Sequence, residues 1–424
     1  MHTSPEKMEN AGAIIEVLGL PAGGGPSAAA TQLVRNAQTL AGGRRLQGRF
    51  PWFTGERIPI SSPLEKAFSA IARANSEGRR VVVLADGDPL YFGIGARLIE
   101  YFGGASLRFT PAVTAVAAAC ARLGIPWNDL PVATLHGRSD MTPLLGALTA
   151  KGRAAVYTDA VNSPDILARR LLDLDIAEVT FHILENMGTP EEQARTLSIQ
   201  EAAKLAFHPL NLVIVETDPA PDCVPALGQP DDFYESDHGL VTKWPARACA
   251  LAALRLRPDS VVWDVGAGSG SVSVEACALA HRGRVFAVEQ DSRRCGMIRA
   301  NRKRARAWTL AVVEGEAPKI FDVLPDPDRI FLGGGLSGAQ GGETPDILAE
   351  ACARLKPGGR LAANVVLLGS LHAAAQYPRS LGWPVEITQL GAGVSSPLAG
   401  DIRLHAQNPV LIVCADKPQA SVLS

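Results

Sequence analysis

The segment richest in chemistry is VVWDVGAGSGSVSVEAC. An apolar run passes through Asp264, then Gly266, Gly268 and Gly270 alternate with Ala267 and Ser269, and helical character begins near Ser271. Glycines at such a turn let the chain bend sharply and let a ligand approach the backbone closely. A dinucleotide loop of the form GxGxxG would place its third glycine at position 271, where this chain has Ser271. About twenty residues on, the apolar run RVFAVEQD reaches Glu289, and a carboxylate there can accept hydrogen bonds from both hydroxyls of a ribose. A third run ends in VVEGEAP, which carries Glu316 and Ala317. The first half has its own loop, VVVLADGDPLYFGIG, in which Gly87, Asp88 and Pro89 follow an apolar strand and precede a glycine-spaced helix start. The bland reading of either loop is a strand-to-helix turn with no ligand.

These loops need a frame. The chain has 424 residues, which predicts two or three domains with ample core. Hydrophobic residues make 47% and charged residues 20%, the composition of a globular chain. Apolar β-like runs alternate with longer Ala/Leu/Arg stretches of helical character, the pattern of parallel α/β layers. Strands are expected over 14–20, 81–85, 154–157, 178–184 and 212–216, with helices over 62–76 and 114–123. The stretch 217–233, with Pro219, Pro221, Pro225 and Pro230, breaks every periodicity and reads as a linker. Beyond it, helices are expected over 246–254, 271–280, 293–307 and 344–355. Strands are expected over 261–265, 284–289, 310–314, 329–332, 360–367 and 410–414. The halves show no sequence repeat, so two different domains are expected, at 11–218 and 231–424, with a linker at 219–230.

Lys+Arg is 41 and Asp+Glu is 43, a formal charge of -2, which argues against a protein that wraps duplex nucleic acid. The basic run RRCGMIRANRKRARAW, from Arg293 to Trp308, reads as the solvated face of a helix covering a sheet. The seven cysteines form no CxxC pair, so no zinc ribbon or dithiol motif is visible, and reduced thiols in a cytosol are expected. The N-terminal stretch is a poor signal peptide, and no run reaches the roughly 18 apolar residues of a membrane span. A soluble, cytoplasmic chain with no membrane partner, no nucleic-acid partner and no metal follows as the expectation.

The acid followed by GxGxG resembles motif I of the class I S-adenosylmethionine (SAM) methyltransferases. The resemblance implies a Rossmann-like fold for the second half. It also implies SAM contacts by Asp264, Gly266, Ala267, Gly268, Ser269, Gly270 and Glu289, with Glu316 and Ala317 at the adenine edge. The Thr-Lys pair in LVTKWPARACALAAL and the run DRIFLGGGL resemble the branch acting at carbon 15 of precorrins. By that resemblance Thr242 contacts SAM and Lys243 faces the substrate, whereas a plain reading makes Thr242 a helix cap. In the first half, the GDP segment, the stretch Thr110 to Arg138 with its Leu-His-Gly-Arg, and HILENMGTPEEQ resemble the tetrapyrrole (class III) methylases, a fold of two α/β subdomains. AGGRRL matches their branch acting at carbon 5. This assigns Gly87, Asp88, Pro89 and Thr114 to a second SAM cleft. VLGLPAGGGPS, with Pro21 displaced, and Ala112 in place of a glycine depart from that pattern.

Together the halves resemble the fused, decarboxylating methyltransferases of cobalamin biosynthesis. The resemblance implies methylation of ring carbon 5 by the first domain. It assigns methylation of carbon 15, with loss of carbon dioxide from the ring C acetate, to the second, taking precorrin-6B to precorrin-8. A polycarboxylate ring needs cations at its rim. Lys243, Arg247, Arg44 and Arg45 are candidates, and His136 and Arg138 could face the first cleft. Single-function carbon-15 relatives make a homo-oligomer expected. The competing reading is a class I RNA or protein methyltransferase with a silent N-terminal binding module. A third is a scaffold without activity.

Overall fold

The structure is a computed structural model that describes residues 13–22, 24–217, 225–334, 336 and 346–419. The chain forms two compact units. One holds residues up to 138 with 155–169 and 180–215; the other holds 139–154, 170–179 and 216 onward. The linker residues 218–224, Cys223 among them, and the expected starts of the domain at 11 and of the helix at 344 lie outside the described residues.

The first unit is built on a five-stranded sheet in the order Glu56–Pro59, Thr39–Gly42, Val81–Asp86, Ile15–Leu20, Leu107–Thr110, every pair parallel. Val81, Val83, Ile15 and Val17 pack on one face with Phe68 and Ile71. Val82, Leu84, Leu18 and Leu20 pack on the other with Val34 and Leu40. Burial of both faces is why this strand is one unbroken apolar run. A second sheet orders Val132–Thr134, Arg153–Tyr157, Asn211–Thr217, Val179–Glu185 and Gln193–Ser198, the last pair antiparallel.

The second unit carries a seven-stranded sheet in the order Leu310–Glu314, Arg284–Glu289, Val261–Val265, Arg329–Leu332, Arg360–Val365, Val410–Asp416, Val385–Leu390. The first five strands are parallel and the last two are paired antiparallel. The strand order reverses at Val261–Val265, and ligands of open α/β sheets bind outside the carboxyl ends of strands at such a reversal. This is the α/β architecture expected of the second half. Trp263 lies fully buried beneath the reversal, its ring 4.7 Å from Phe321 and its Nε1 donating to Pro325 O at 3.1 Å.

The helix Ser292–Ala305 shows the solvated face expected of its basic residues at Arg293, Arg299, Lys303 and Arg304, which are exposed, and departs from it at Arg302. Arg302 is buried, donates to Leu174 O at 2.6 Å and lies over the Trp308 ring; Lys303 pairs with Glu178 at 2.8 Å. Arg299 pairs with Glu314, Arg304 donates to Phe233 O and Arg306 to Thr217 Oγ1. These cations fasten the segments 170–179, 217 and 233 within the unit. The cause is non-local: their partners stand up to 128 residues away in the chain. A hairpin of Gly393–Leu398 and Asp401–Ala406 pairs only with itself among the described strands.

Candidate active site

At the reversal point, Gly266 N and Ala267 N donate to Val288 O at 2.9 and 3.1 Å, which folds the loop over the neighbouring strand. Gly268 N donates to Glu289 Oε2 at 2.9 Å, and Gln290 N and Asp291 N donate to Oε1 at 3.0 and 3.1 Å. Glu289 is buried, and its carboxylate already accepts three N–H groups, leaving one lone-pair direction for a ribose hydroxyl. Gly268 has φ +59°, and a Cβ there would meet nothing within 4 Å, so the loop backbone faces open space. A Cβ on Gly270 would instead lie 2.8 Å from Ile298 Cγ2. Glu289 stands opposite Glu314, and Gly315 N donates to Glu289 O at 2.9 Å. That places Glu316, paired with Lys319 at 2.7 Å, and Ala317 at the same edge. Asp264, Glu289 and Glu316 therefore lie at or just beyond the ends of three adjacent strands.

Asp264 differs from the expectation of an open, ligand-facing acid. It is 1% exposed, its Oδ2 accepts from Ser273 Oγ, and its Oδ1 has no hydrogen-bond partner among the described residues. Burial pushes its carboxyl up to about 7, Glu289 adds to the rise, and Ser273 opposes it. It props the loop against the helix Ser271–Leu279 from below. Ser269 is also buried, and its carbonyl accepts from Asn301 Nδ2 at 2.9 Å. Asn301 exchanges two further bonds with the Glu235 backbone, at 2.8 Å each. Nothing in the sequence marked Asn301.

The second glycine run sits where the first needs it. A Cβ on Gly333 would be 2.9 Å from Gly266 O, and one on Gly266 would be 3.0 Å from Gly334 N; Gly335 lies outside the described residues. The helix Trp244–Leu254 ends over the strand starts, since Arg360 Nε donates to Ala253 O at 2.6 Å. Its beginning therefore lies at the carboxyl edge of the sheet. Lys243 is the N-cap residue there, with no side-chain cap, and its side chain is about half exposed. Its Nζ lies 3.7 Å from Asp231. Thr242 is half-buried just before it and does not cap.

Arg247 cannot face a substrate. It is fully buried, its Nε donates to Glu275 Oε1 at 2.6 Å, and its guanidinium lies 4.8 Å over the Tyr234 ring. It also donates to Thr242 O and Gln229 O. Glu275, equally buried, accepts from Tyr234 Oη, Gly228 N and Gln229 N at 3.0–3.1 Å. The pair is satisfied inside the fold, and Arg247 reaches the Thr-Lys segment through Thr242 O and through Asp231, which it shares with Lys243.

In the first unit three strand ends meet. Gly87 N donates to Leu20 O at 2.7 Å and Ala112 N to Gly87 O at 3.2 Å. A Cβ on Gly19 would lie 2.0 Å from Gly87 O, which accounts for glycine at that approach. Asp88 Oδ1 accepts from Leu90 N at 2.9 Å, closing the GDP turn, and Pro89 O accepts from Gly95 N at 2.8 Å. Thr114 caps the helix Ala115–Leu123 by accepting from Ala117 N at 3.1 Å, which leaves its O–H free to donate. Arg49, unmarked in the sequence, donates to Pro21 O and Gly24 O and so holds the atypical glycine loop; Gly23 lies outside the described residues. Arg45 is paired with Asp86 at 2.5 Å, while Arg44 is exposed.

His136 and Arg138 are exposed. Their loop is clamped by Gly137 N donating to Asp159 at 2.6 Å and by Asn162 Nδ2 donating to Leu135 O and Arg138 O at 2.9 and 3.1 Å. Beside the GDP turn, Phe92 is exposed at φ +54° and packs edge-on against Tyr91, 5.7 Å from Tyr157. A non-glycine residue held in the left-handed region is strained and marks a constrained turn. Burial, then Tyr91, pushes the Tyr157 hydroxyl up to about 12.

Residues 23–203 match the family of tetrapyrrole (corrin/porphyrin) methylases, and residues 232–417 match the precorrin methyltransferase domain. A precorrin-6Y C(5,15)-methyltransferase [decarboxylating] of Sinorhizobium is 34% identical over 344 residues, covering 80% of each chain. A probable cobalt-precorrin-6B C(15)-methyltransferase (decarboxylating) of Pyrobaculum calidifontis is 38% identical over 191 residues, 44% of this chain and 95% of its own. A cobalt-precorrin-7 C(5)-methyltransferase of Salmonella typhimurium is 34% identical over 187 residues, 44% of this chain and 90% of its own.

Proposed function

The chain belongs to the family of decarboxylating precorrin-6Y C(5,15)-methyltransferases, and on that premise we propose how its two units divide the reaction. The enzyme is a SAM-dependent C-methyltransferase of cobalamin biosynthesis. It methylates carbons 5 and 15 of precorrin-6B and decarboxylates the ring C acetate to give precorrin-8. The first unit acts at carbon 5. The second acts at carbon 15 and releases carbon dioxide. The observation that carries the division is the pair of separate glycine-lined strand ends, one at Leu20, Gly87 and Ala112 and one at Gly266–Gly270 beside Gly333. The half-length relatives named for one carbon each support it. Boundaries at 11–218, 219–230 and 231–424 enclose the two matched stretches, with residues 139–154 and 170–179 of the first stretch clustering in the second compact unit.

SAM, when bound, supplies an electrophilic methyl group. The chain's part is to hold two reactants in line, since a displacement gains most from orientation. In the second unit the open backbone at Gly268 fits a close approach by the methionyl part, and Glu289 has acceptor capacity left for the ribose. In the first, Gly87, Asp88, Pro89 and the Thr114 hydroxyl are the corresponding groups. Lys243, half exposed beside Asp231, stands at the rim as a cation for a carboxylate arm; in the first unit the exposed Arg44 and Arg138 do so, with His136 as an exposed hydrogen-bonding side chain beside Arg138. The attacking carbon belongs to an electron-rich conjugated ring, so no activated side-chain nucleophile is required. The same ring accepts the electron pair left when the acetate loses carbon dioxide.

We place the enzyme in the cytoplasm as a homo-oligomer without nucleic-acid or membrane partners. Among the described residues no helix is long and apolar enough to cross a membrane, and Arg302 and Lys303 of the basic helix bond within the second unit. No observation favours the RNA or protein methyltransferase reading. Incubating the full chain with precorrin-6B and SAM tests the proposal by mass spectrometry. A product with two added methyl groups and one carbon dioxide lost is expected. An unchanged tetrapyrrole, with methyl transfer to RNA or protein instead, would refute it.

A further inference from the structure

Asn364, next to last in the strand Arg360–Val365, has both amide atoms, Oδ1 and Nδ2, buried and without a hydrogen-bond partner among the described residues. A buried amide that bonds to nothing is costly and is usually satisfied in a finished fold. Its direction follows from the alternation of the strand. Leu361, Ala363 and Val365 pack into the core on one face of the sheet. Ala362 packs on the other face, with Phe331, Ile412 and the residues Ala250, Leu251 and Leu254 of the helix that Lys243 caps. Asn364 therefore shares that second face. Val262 also packs there, which puts Asp264, with its own partnerless Oδ1, on the same side.

The position separates substrate from cofactor. Arg360–Val365 lies two strands from Val261–Val265, across Arg329–Leu332, a lateral step of about 10 Å from the SAM loop. Between them lies the glycine run Gly333–Gly334, which presents no side chains. Above them begins the helix carrying Lys243 and the exposed Trp244. Val366, Leu367 and Leu368, directly after the end of this strand at Val365, are all exposed and apolar. A flat ring with acidic arms finds there an apolar rim, a cation and one dry amide.

We propose that Asn364 is a substrate-positioning residue of the carbon-15 site, donating Nδ2 to a carboxylate arm of the tetrapyrrole. The assignment rests on the tetrapyrrole reading above. The test uses the full chain, precorrin-6B and SAM, with Asn364→Leu and Asn364→Asp. Leucine keeps the volume and removes the unsatisfied amide; aspartate keeps the shape and repels a carboxylate. Both variants are expected to raise KM for the tetrapyrrole at the carbon-15 step roughly tenfold or more, the factor carried by one hydrogen bond to a charged group. KM for SAM and methylation at carbon 5 stay unchanged, and the melting temperature of Asn364→Leu is equal to or above that of the parent chain. An unchanged tetrapyrrole KM in both variants would overturn the assignment. So would a lower melting temperature of Asn364→Leu together with weakened SAM use, which marks a structural role. A parent chain that leaves precorrin-6B untouched defeats the underlying reading, and that result is distinct from either.

Discussion

Gly268 and Gly382 form a matched pair for isolating the ligand's demand on the SAM loop. Both lie in the second unit, both have positive φ (+59° and +75°), and a Cβ at either would touch nothing within 4 Å. An alanine at either position is thus strained by the left-handed backbone and by nothing else, at about 1–2 kcal/mol. Thermal or urea unfolding should show similar losses for Gly268→Ala and Gly382→Ala. They should part company in function. The space beyond Gly268 is where the bound methionyl chain is placed, so the new methyl crowds the ligand at about 1–3 kcal/mol. That is roughly a 5- to 150-fold loss of SAM affinity at this site. Single-turnover mass analysis, resolving carbon-15 from carbon-5 methylation across a SAM titration, reads the two sites separately. Gly268→Ala should shift only the carbon-15 curve, and Gly382→Ala neither. Equal SAM dependence in the two variants would show that the loop's openness has no bearing on the cofactor.

Arg247→Ala leaves Glu275 buried and uncompensated, so unfolding should become easier by about 3–5 kcal/mol, and Glu275→Gln in the same chain should recover part of it. A variant with parental stability but a raised tetrapyrrole KM would restore Arg247 to the substrate. For Asp264 the sign is set by a raised pKa. The folded chain keeps this carboxyl protonated up to about 7, whereas unfolded it ionises near 3.8. The folded state holds the extra proton between those values, so its stability falls as pH rises through that window. Asp264→Asn should flatten that part of the melting-temperature profile and gain on the parent toward pH 8. A parallel pair of profiles would contradict a buried, neutral Asp264.

The sequence made some features legible because their physics is local. The strands Val261–Val265, Arg284–Glu289 and Arg329–Leu332 carry apolar runs that meet acids or glycines at their ends, and such runs report burial on both faces directly. The glycine loop was visible for the same reason, since its residue types are dictated by its own backbone. What stayed hidden depends on distant partners. Arg247 looked like a rim cation because Glu275, 28 residues away, gives no sign that it is buried. The Arg302 side chain looked solvated because its partner Leu174 lies more than a hundred residues upstream. The hairpin Gly393–Leu398 and Asp401–Ala406 went unseen because neither strand faces a core, so neither shows a clean alternation. Asn301 and Arg49 act through backbone carbonyls, which no residue pattern announces.

The clasp of Glu289 on Gly268, Gln290 and Asp291 has a kinetic and entropic consequence. The loop is settled while the chain folds, before any nucleoside arrives, so docking need not freeze a wandering backbone and more of the contact energy survives as affinity. Shortening that side chain would therefore do double harm, removing an acceptor and releasing the loop. The second loss should appear as a slower, less favourable association even for ligands that lack the hydroxyls altogether.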